Sequence, residues 1–306
     1  MKPAFFHPGQ HDCGYTLVEF LIAATLGLLI IVALTSLLLH SQENQAIFND
    51  ETGLQESARY VFENISRSVK HAGYINYDPL ETANIPVDKY QAAIQGFDAR
   101  SMSANSEAIN ETVASSNNDS DILALRFWDS DIEETNNVGN CAGVSMTAPD
   151  RRKIKQPSWS IYYVANNTKG EPELFCKFRG KSGAFSAQAI ATGVDAFQVL
   201  YGLPDKDMSY RFLNASEVSA MDQDIPAEKL TEESHWHTIV AVKIALLLHS
   251  PNNTRTHTTP VIHYLFGKND QQHTDPDTRI DEAALPDRQR LRRVFSATIP
   301  LNNREN

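Results

Sequence analysis

The apolar run from Tyr15 to Leu39 constrains the fold of this chain more than any other feature. It covers 25 residues and holds one charged side chain, Glu19. A helix of that length, at about 1.5 Å per residue, can cross a hydrocarbon core of about 30 Å. In a secretory signal peptide the small residues of the cleavage site follow a shorter apolar core, whereas here Gly14 comes before the run. Cleavage at Gly14 would therefore leave a membrane-length helix on the mature protein.

The charges on either side of this run predict its orientation. Lys2 precedes the run, while Glu43, Asp50 and Glu51 follow it. Positive charge favours the cytoplasmic side of a membrane. We therefore expect a single span, with the N-terminus in the cytoplasm and the rest of the chain outside.

Glu19 is the unusual residue of the span. A charge inside a membrane costs at least about 2–3 kcal/mol, so an ionisable residue there indicates a function. The plain alternative is that Glu19, one helical turn from the interface, extends its carboxylate into water. Glu19 by itself leaves both interpretations open.

Beyond Leu39 the pattern of apolar residues predicts that the helix continues. Apolar side chains recur at spacings of three, four and seven residues, which places them on one helical face. They are Ile47, Leu54, Ala58, Val61, Phe62, Ile65, Val69 and Ala72. The sequence has no proline between Pro8 and Pro79. It therefore predicts one helix from Tyr15 to about His71, with its second half packed against a globular head.

After Gly73 the composition changes to that of β-strands separated by polar loops. β-Branched and aromatic residues with partial alternation predict six strands. They are Asp121–Trp128, Trp159–Ala165, Glu173–Phe178, Val194–Gly202, His237–Ser250 and Leu291–Leu301. Segments rich in Asn, Asp and Ser are expected to be loops, and they are 101–120, 129–140, 205–234 and 269–287. We expect an α+β fold in which one long helix packs on a mainly antiparallel sheet.

The composition indicates a folded protein without general affinity for nucleic acid. Hydrophobic residues make up 42% and charged residues 21% of the chain, which are globular values. A formal net charge of −11 disfavours binding to DNA, RNA or anionic lipid. One local run is basic: Arg288, Arg290, Arg292 and Arg293. Strand alternation would place the first three on one charged face, suited to an acidic partner.

Of the three cysteines, none forms a C-x-x-C pair. If the head lies outside the cytoplasm, Cys141 and Cys176 are natural disulfide partners, and the bond would stabilise the fold by about 3–4 kcal/mol. If the head is not oxidised, they are two unpaired buried thiols. Both possibilities remain at this point.

Two short motifs that suggest chemistry are incomplete. The segment 179–183 ends like a nucleotide-binding loop but lacks the earlier glycine of that motif. His235 and His237 are expected on one face of a strand, where two histidines could share a metal, but no further ligand stands at a supporting spacing. We expect neither a nucleotide site nor a metal site.

Two acidic pairs are spaced like fragments of a calcium loop. Asp119 and Asp121 form one pair, and Asp275 and Asp277 form the other. Neither continues with the glycine and distal glutamate of an EF-hand. We expect solvated loop carboxylates, and we expect no catalytic residue and no cofactor in the chain.

The segment Gly14–Phe20, with the sequence G-Y-T-L-V-E-F, resembles the type III signal of the type IV pilin superfamily. The resemblance implies cleavage between Gly14 and Tyr15 by a prepilin peptidase, which also methylates the new N-terminus at Tyr15. Glu19 then takes the fifth position of the mature protein. The resemblance implies that its carboxylate pairs there with the N-terminal ammonium of a neighbouring subunit during assembly, an attraction that low dielectric strengthens.

Further segments resemble minor pilins of the PilW family. They are Arg59–Tyr77, Gly193–Gly202, Ala241–Ser250 and Arg290–Arg304. Major pilins often have a proline midway along the apolar half of the helix, and its absence here favours a minor pilin or pseudopilin. The resemblance implies a type IV pilin-like fold and a minor pilin of the tip and priming complex. Twitching motility, adhesion and DNA uptake would depend on it indirectly.

The resemblance also implies an organisation and a location. Residues 1–14 would be a leader peptide, 15–39 a transmembrane and assembly helix, 40–76 its amphipathic half, and 77–306 a periplasmic β-rich head. The expected partners are the prepilin peptidase, the inner membrane before assembly, other minor pilins and the major pilin of a cell-surface pilus. Two alternatives are a GspJ-like pseudopilin of type II secretion and a membrane-anchored adhesin whose long loops bind a ligand.

Overall fold

The structure is a computed structural model that describes residues 16–74, 92–104, 106, 109, 111–115, 117–127, 139–144, 157–180, 183–205, 209–255, 259–268 and 278–302. The chain divides into two compact units, Met1–Asn49 and Asp50–Asn306. The first unit holds the apolar half of the helix with Glu19, and the second unit holds the sheets.

One helix, α1, spans Leu17–His71. It ends where Gly73 adopts a φ of 71°, a left-handed conformation that glycine reaches without strain. The Ala72 amide donates to the Val69 carbonyl at 3.1 Å, and the Gly73 amide donates to the carbonyl of Arg126 at 2.9 Å. The predicted end of the helix near His71 is confirmed, whereas its predicted first residue, Tyr15, lies outside the described residues.

The described chain after α1 is mainly β-structure. The strands are β1 (Ile94–Phe97), β2 (Arg100–Met102), β3 (Thr112–Ala114), β4 (Ile122–Phe127), β5 (Ser158–Asn166), β6 (Pro172–Arg179), β7 (Phe185–Thr192), β8 (Val194–Pro204), β9 (Tyr210–Leu213), β10 (Ala241–His249), β11 (Ile262–Tyr264), β12 (Arg279–Asp281) and β13 (Arg292–Pro300). Two short helices, α2 (Ala215–Met221) and α3 (Leu230–Glu233), lie between β9 and β10. Single 3-10 turns occupy His235–Thr238 and Glu282–Ala284.

The strands form two larger sheets and two small ones. The five-stranded sheet has the order β1-β4-β5-β6-β7, and the four-stranded sheet has the order β13-β10-β8-β9. Strands β2 and β3 form a separate pair, as do β11 and β12. Each of these pairings is antiparallel. The predicted α+β class is confirmed, because a long N-terminal apolar helix is followed by mostly antiparallel sheets.

The two larger sheets are covered on both faces. One face of each joins a common core with Val61 and Ile65 of α1. The outer face of the five-stranded sheet packs against Met102 of β2, and the outer face of the four-stranded sheet packs against Ile280 of β12. All six residues of β4 are therefore buried, which explains why this strand is almost continuously apolar.

Several segments predicted to be loops contain regular structure, so those predictions were wrong. The segment 205–234 holds β9, α2 and α3. Its helix α2 begins with a capping box, because Asn214 Oδ1 accepts from the Glu217 amide at 2.8 Å and the Glu217 carboxylate accepts from the Asn214 amide at 2.9 Å. The short strands β2, β3 and β12 fall in the segments 101–120 and 269–287. Most of the segment 129–140 lies outside the described residues.

Cys141 and Cys176 form a disulfide, with 6.0 Å between their Cα atoms. The bond joins the segment 139–144 to the middle of β6, and both cysteines are buried. It closes a loop of sequence separation 35, for which the chain-entropy relation gives about 4 kcal/mol of stabilisation. Of the two possibilities left by the sequence, the structure shows the disulfide.

Candidate assembly site

Glu19 lies in the first turn of α1 and forms a local cap with Thr16. Its Oε2 accepts from the Thr16 amide at 3.0 Å and from the Thr16 hydroxyl at 3.1 Å, while the Glu19 amide donates to the Thr16 hydroxyl at 3.3 Å. This reciprocal arrangement is a capping box, which supplies partners for backbone amides that the first turn leaves unpaired. The carboxylate thus caps the helix in the single chain. Gly14 and Tyr15, the predicted processing residues, lie outside the described residues.

The apolar half of α1 exposes its side chains on all sides. Large apolar residues from Leu17 to Leu39 keep between about half and three quarters of their surface exposed. By length and composition, helix α1 is long and apolar enough to cross a membrane. A helix that is apolar all round needs an apolar environment on every side. Lipid or the packed helices of other subunits would supply it.

The second half of α1 is held by polar contacts as well as by its apolar stripe. Asn64 donates through Nδ2 to the Cys141 carbonyl at 2.9 Å, and its Oδ1 accepts from the Tyr162 hydroxyl at 2.7 Å. The Ser68 hydroxyl lies 2.7 Å from the same phenol oxygen. Burial raises the pKa of Tyr162, so the phenol stays a neutral donor. The disulfide segment is therefore bonded directly to the helix.

Two neighbouring acidic residues of α1 contact the region of the four-stranded sheet in different ways. Asp50 is buried, and its carboxylate accepts from Asn252 Nδ2 at 2.9 Å and from the Thr254 hydroxyl at 2.8 Å. Glu51 instead pairs at 3.0 Å with Arg293 of β13, and both side chains are more than one third exposed. Asp50 therefore fixes the helix to the segment after β10, while Glu51 makes a solvent-screened ion pair.

A cluster of charges, buried except at Glu171 and Arg290, joins the β5–β6 turn, β8, β10 and β13. Arg292 donates from Nε to Asp195 Oδ2 at 2.8 Å, and both side chains are buried. Arg290 binds Glu171 through two parallel hydrogen bonds of 2.7 and 2.8 Å. The cluster borders a polar cavity of about 440 Å³. Bidentate geometry of this kind gives arginine–carboxylate pairs their orientation and much of their strength.

His249 lies between the two ion pairs of this charge cluster. Its Nδ1 is 2.9 Å from Asp195 Oδ1, and its Nε2 is 2.7 Å from the Arg290 guanidinium. Nε2 also lies 3.3 Å from Glu171 Oε2, so the ring bridges the two carboxylates and contacts Arg290. The hydrogen bonds and charge of Arg290 lower the pKa of Glu171 to about 2, with a further contribution from His249. The cluster is thus internally balanced.

The predicted basic face of Arg288, Arg290 and Arg292 was wrong. Strand β13 begins only at Arg292, and the Arg290 amide donates to the Asp287 carbonyl in a turn. Arg290 and Arg292 consequently point into the charge cluster rather than along one exposed strand face. Carboxylates of the same chain therefore bind Arg290 and Arg292, while Arg288 donates to the Ala283 carbonyl at 3.2 Å.

The prediction that His235 and His237 share a strand face was also wrong. Both lie in a 3-10 turn that Ser234 caps, because the Ser234 hydroxyl accepts from the Trp236 amide at 3.3 Å. Asp222 fixes this turn, since its carboxylate binds the His235 amide at 2.8 Å and the His235 ring at 2.7 Å. Although burial opposes the shift, the hydrogen bonds from Ser234 and His235 lower the pKa of the Asp222 carboxyl.

The structure also locates part of the remaining motifs. Asp121 is buried rather than solvated, because its carboxylate accepts from the amides of Ala99 and Val199 at 3.1 and 2.8 Å. Asp275 and Asp277 lie outside the described residues. The segment 179–183 connects β6 to β7, so a strand follows it instead of the helix that a phosphate-binding loop requires. Within the described ranges, no group of three or more His, Cys, Asp or Glu residues could hold a metal.

Sequence reasoning missed the residues that fix the helix and link the sheets. Asp50 had a usable signal, because it stands four residues before Leu54 on the apolar face of α1. A carboxylate on such a face indicates a buried partner. Glu171 and Asp195 had no such signal, since their arginine partners lie about a hundred residues away in the sequence.

The described chain combines a long helix, whose N-terminal half is apolar and exposed, with antiparallel sheets, which is the fold that the resemblance to type IV pilins implied. Residues 161–303 match the model of the PilW family, Type IV Pilus-assembly protein W. The resemblance to the PilW family that the sequence indicated is thereby confirmed over that range. No curated protein matches the chain. A solved type IV-like pilin from Thermus thermophilus is similar at 12% identity and a TM-score of 0.36, covering 81% of this chain and 96% of its own.

The family match supports a pilin role in type IV pilus assembly. Such a role implies contact with other pilus components. The apolar half of α1 fits membrane anchoring and association with a pilus.

Replacing Asp50 should destabilise the fold far more than replacing its neighbour Glu51. Asp50→Ala leaves two hydrogen-bond donors without their acceptor, which costs about 1–3 kcal/mol. Glu51→Ala removes an exposed ion pair worth at most about 1 kcal/mol. Urea unfolding of the full chain in detergent, followed by circular dichroism, measures both. Equal losses for the two variants would contradict the anchoring role of Asp50.

The charge cluster should make stability depend on pH through Glu171. The folded pKa of Glu171 is lowered to about 2 from an ordinary value near 4.5, so its stabilisation is present above pH 4.5 and is lost as the pH falls toward 2. Since the side chain is 38% exposed, we expect an effect below about 1 kcal/mol. Glu171→Gln should lose less stability between pH 5 and pH 3 than the wild type does. Glu232→Gln, an exposed change outside the cluster, is the control and should follow the wild type.

Proposed function

We propose that the chain is a minor pilin of a type IV pilus, processed between Gly14 and Tyr15 by a prepilin peptidase. The mature protein has its N-terminus on the cytoplasmic side of the inner membrane and its head in the periplasm. It then enters the tip and priming complex of the pilus, in contact with other minor pilins and the major pilin. Motility, adhesion and DNA uptake depend on it through the pilus.

The observation that carries the proposal is the change of environment along α1. From Leu17 to Leu39 the side chains are exposed on every side, and from Leu54 to Val69 one stripe is buried in the head. A helix with these two halves suits a protein that passes from lipid into a bundle of similar helices, because the apolar half is shielded in both places. The PilW match of residues 161–303 supports the same function from the other end of the chain.

Glu19 serves assembly by exchanging one partner for another. In the single chain its carboxylate is bound by Thr16, which satisfies it at the start of the helix. During assembly the N-terminal ammonium of a neighbouring subunit offers a full positive charge. In an apolar surrounding, an ion pair is stronger than the hydrogen bonds of a hydroxyl and an amide.

Processing can be tested on the mature protein. Intact-mass and N-terminal peptide mass spectrometry of the chain purified from its native membrane should find an N-terminus at N-methylated Tyr15. The same chain from cells without the prepilin peptidase should retain residues 1–14. Detection of the intact Met1 form alone in wild-type cells would refute the processing proposal.

The charge of Glu19 and its capping role can be separated by substitution. Glu19→Gln keeps an acceptor for Thr16 but removes the charge, so we expect a normal membrane level of the protein and a large loss of surface pili. Thr16→Val removes the capping hydroxyl while the charge remains, so piliation should be largely retained. Pili are counted by electron microscopy and by quantifying sheared pilin. Normal piliation with Glu19→Gln, or failure with Thr16→Val alone, would remove the ion pair from the mechanism.

A further inference from the structure

Within the described part of the chain, strand β7 is an edge strand of the five-stranded sheet. It spans Phe185–Thr192 and pairs with β6 on one side only. Among the described residues, no backbone hydrogen bond is formed on its other side. Such an edge displays a row of amides and carbonyls that can pair with a strand of another chain.

The other edges of the two larger sheets carry features that discourage pairing. Strands β1 and β9 have four residues each. Strand β13 has nine residues, but it begins with Arg292 and Arg293 and ends with Pro300. Short length, charge and proline are the usual protections of an edge strand. Strand β7 has eight residues and neither charge nor proline, although its register with β6 shifts once, between Leu174 and Phe175.

The side chains of β7 permit close approach of another strand. Ala187, Ala189 and Ala191 are small, and Ser186, Gln188 and Thr192 are exposed and uncharged. Phe185 and Ile190 are partly buried against the cores on the two faces of the sheet. An added strand could therefore extend both faces of the sheet without placing a charge against apolar surface.

We propose that β7 pairs with β7 of a second copy of this chain, in antiparallel orientation. The neighbouring strand β6 carries Glu173 opposite Thr192 at one end and Arg179 opposite Phe185 at the other. The Arg179 guanidinium lies over the Phe185 ring, 4.5 Å from its centre, so its charge is close to the free edge. Antiparallel pairing brings the basic end of each copy beside the acidic end of the other, whereas parallel pairing would bring like charges together.

The two-fold symmetry of this pairing limits the assembly to a dimer. The same strand serves on both copies, so the contact uses up both free edges and stops at two chains. Each chain has a net charge of −11, but strand β7 itself carries no charge. The repulsion between two copies therefore acts over longer distances, and at physiological ionic strength it is screened with a Debye length of about 8 Å. The pairing does not require Glu19 or the apolar helix, so it can fail or hold independently of the proposed pilin function.

Single cysteines test the orientation in the full chain, purified in detergent with Cys13→Ser and the native disulfide intact. With a short bismaleimide, Gln188→Cys near the strand centre should cross-link to itself. Thr192→Cys at the strand end should not, because antiparallel pairing separates the two ends, but a mixture of Ser186→Cys and Thr192→Cys chains should cross-link. Equal self-cross-linking at positions 188 and 192, or none at position 188, would overturn the proposal.

A charge swap tests whether the edge itself holds the two copies. Analytical ultracentrifugation should show Gln188→Lys chains associating at least about fivefold more weakly than the wild type, because like charges then meet across the strands. A mixture of Gln188→Lys and Gln188→Glu chains should regain the association. Ser296→Lys, at an exposed position of β13, is the matched control and should leave it unchanged. A wild type that stays monomeric, or a Gln188→Cys cross-link formed in cells only to a different pilus protein, would exclude the second copy as the occupant.

Discussion

The structure depends on one helix having to meet two different environments. Its first half is apolar on every side, so no single head could bury it, and it needs lipid or other helices. Its second half has one apolar stripe and is fixed by polar groups that are also buried, Asp50, Asn64 and Ser68. Because the polar groups bind partners at defined positions, the helix can take only one register against the sheets. The rest of the head is built around that register.

The head then has to hold two sheets together around this helix. Apolar packing supplies most of the common core, but it is not directional. The cluster of Glu171, Asp195, His249, Arg290 and Arg292 adds direction, because its hydrogen bonds require the turn after β5, the end of β10 and the start of β13 to meet in one place. The disulfide does the same for the segment 139–144 and β6. The long-range contacts of the head are thus specified by a few polar pairs.

The sequence predicted local features well and long-range contacts poorly. The end of α1 and the strands β4, β5, β6 and β8 followed from hydrophobic patterns, which depend on neighbouring residues. Helix α2 was missed although Asn214 and Glu217 form its capping box, because the surrounding segment is polar and was interpreted as a loop. The partners of Arg290 and Arg292 could not be predicted, since they lie 119 and 97 residues away and only the fold brings them together. Gly14 and Tyr15 remain predictions from resemblance.

The central claim is that this chain is a component that a type IV pilus needs for assembly. An in-frame deletion in the native organism, with surface pili quantified by shearing and secretion through the type II pathway measured in the same strain, tests it most directly. We predict that surface pili are strongly reduced, that secretion is unchanged, and that the wild-type chain restores piliation. Normal piliation of the deletion strain would contradict the account, and normal piliation with failed secretion would assign the chain to the secretion machinery instead.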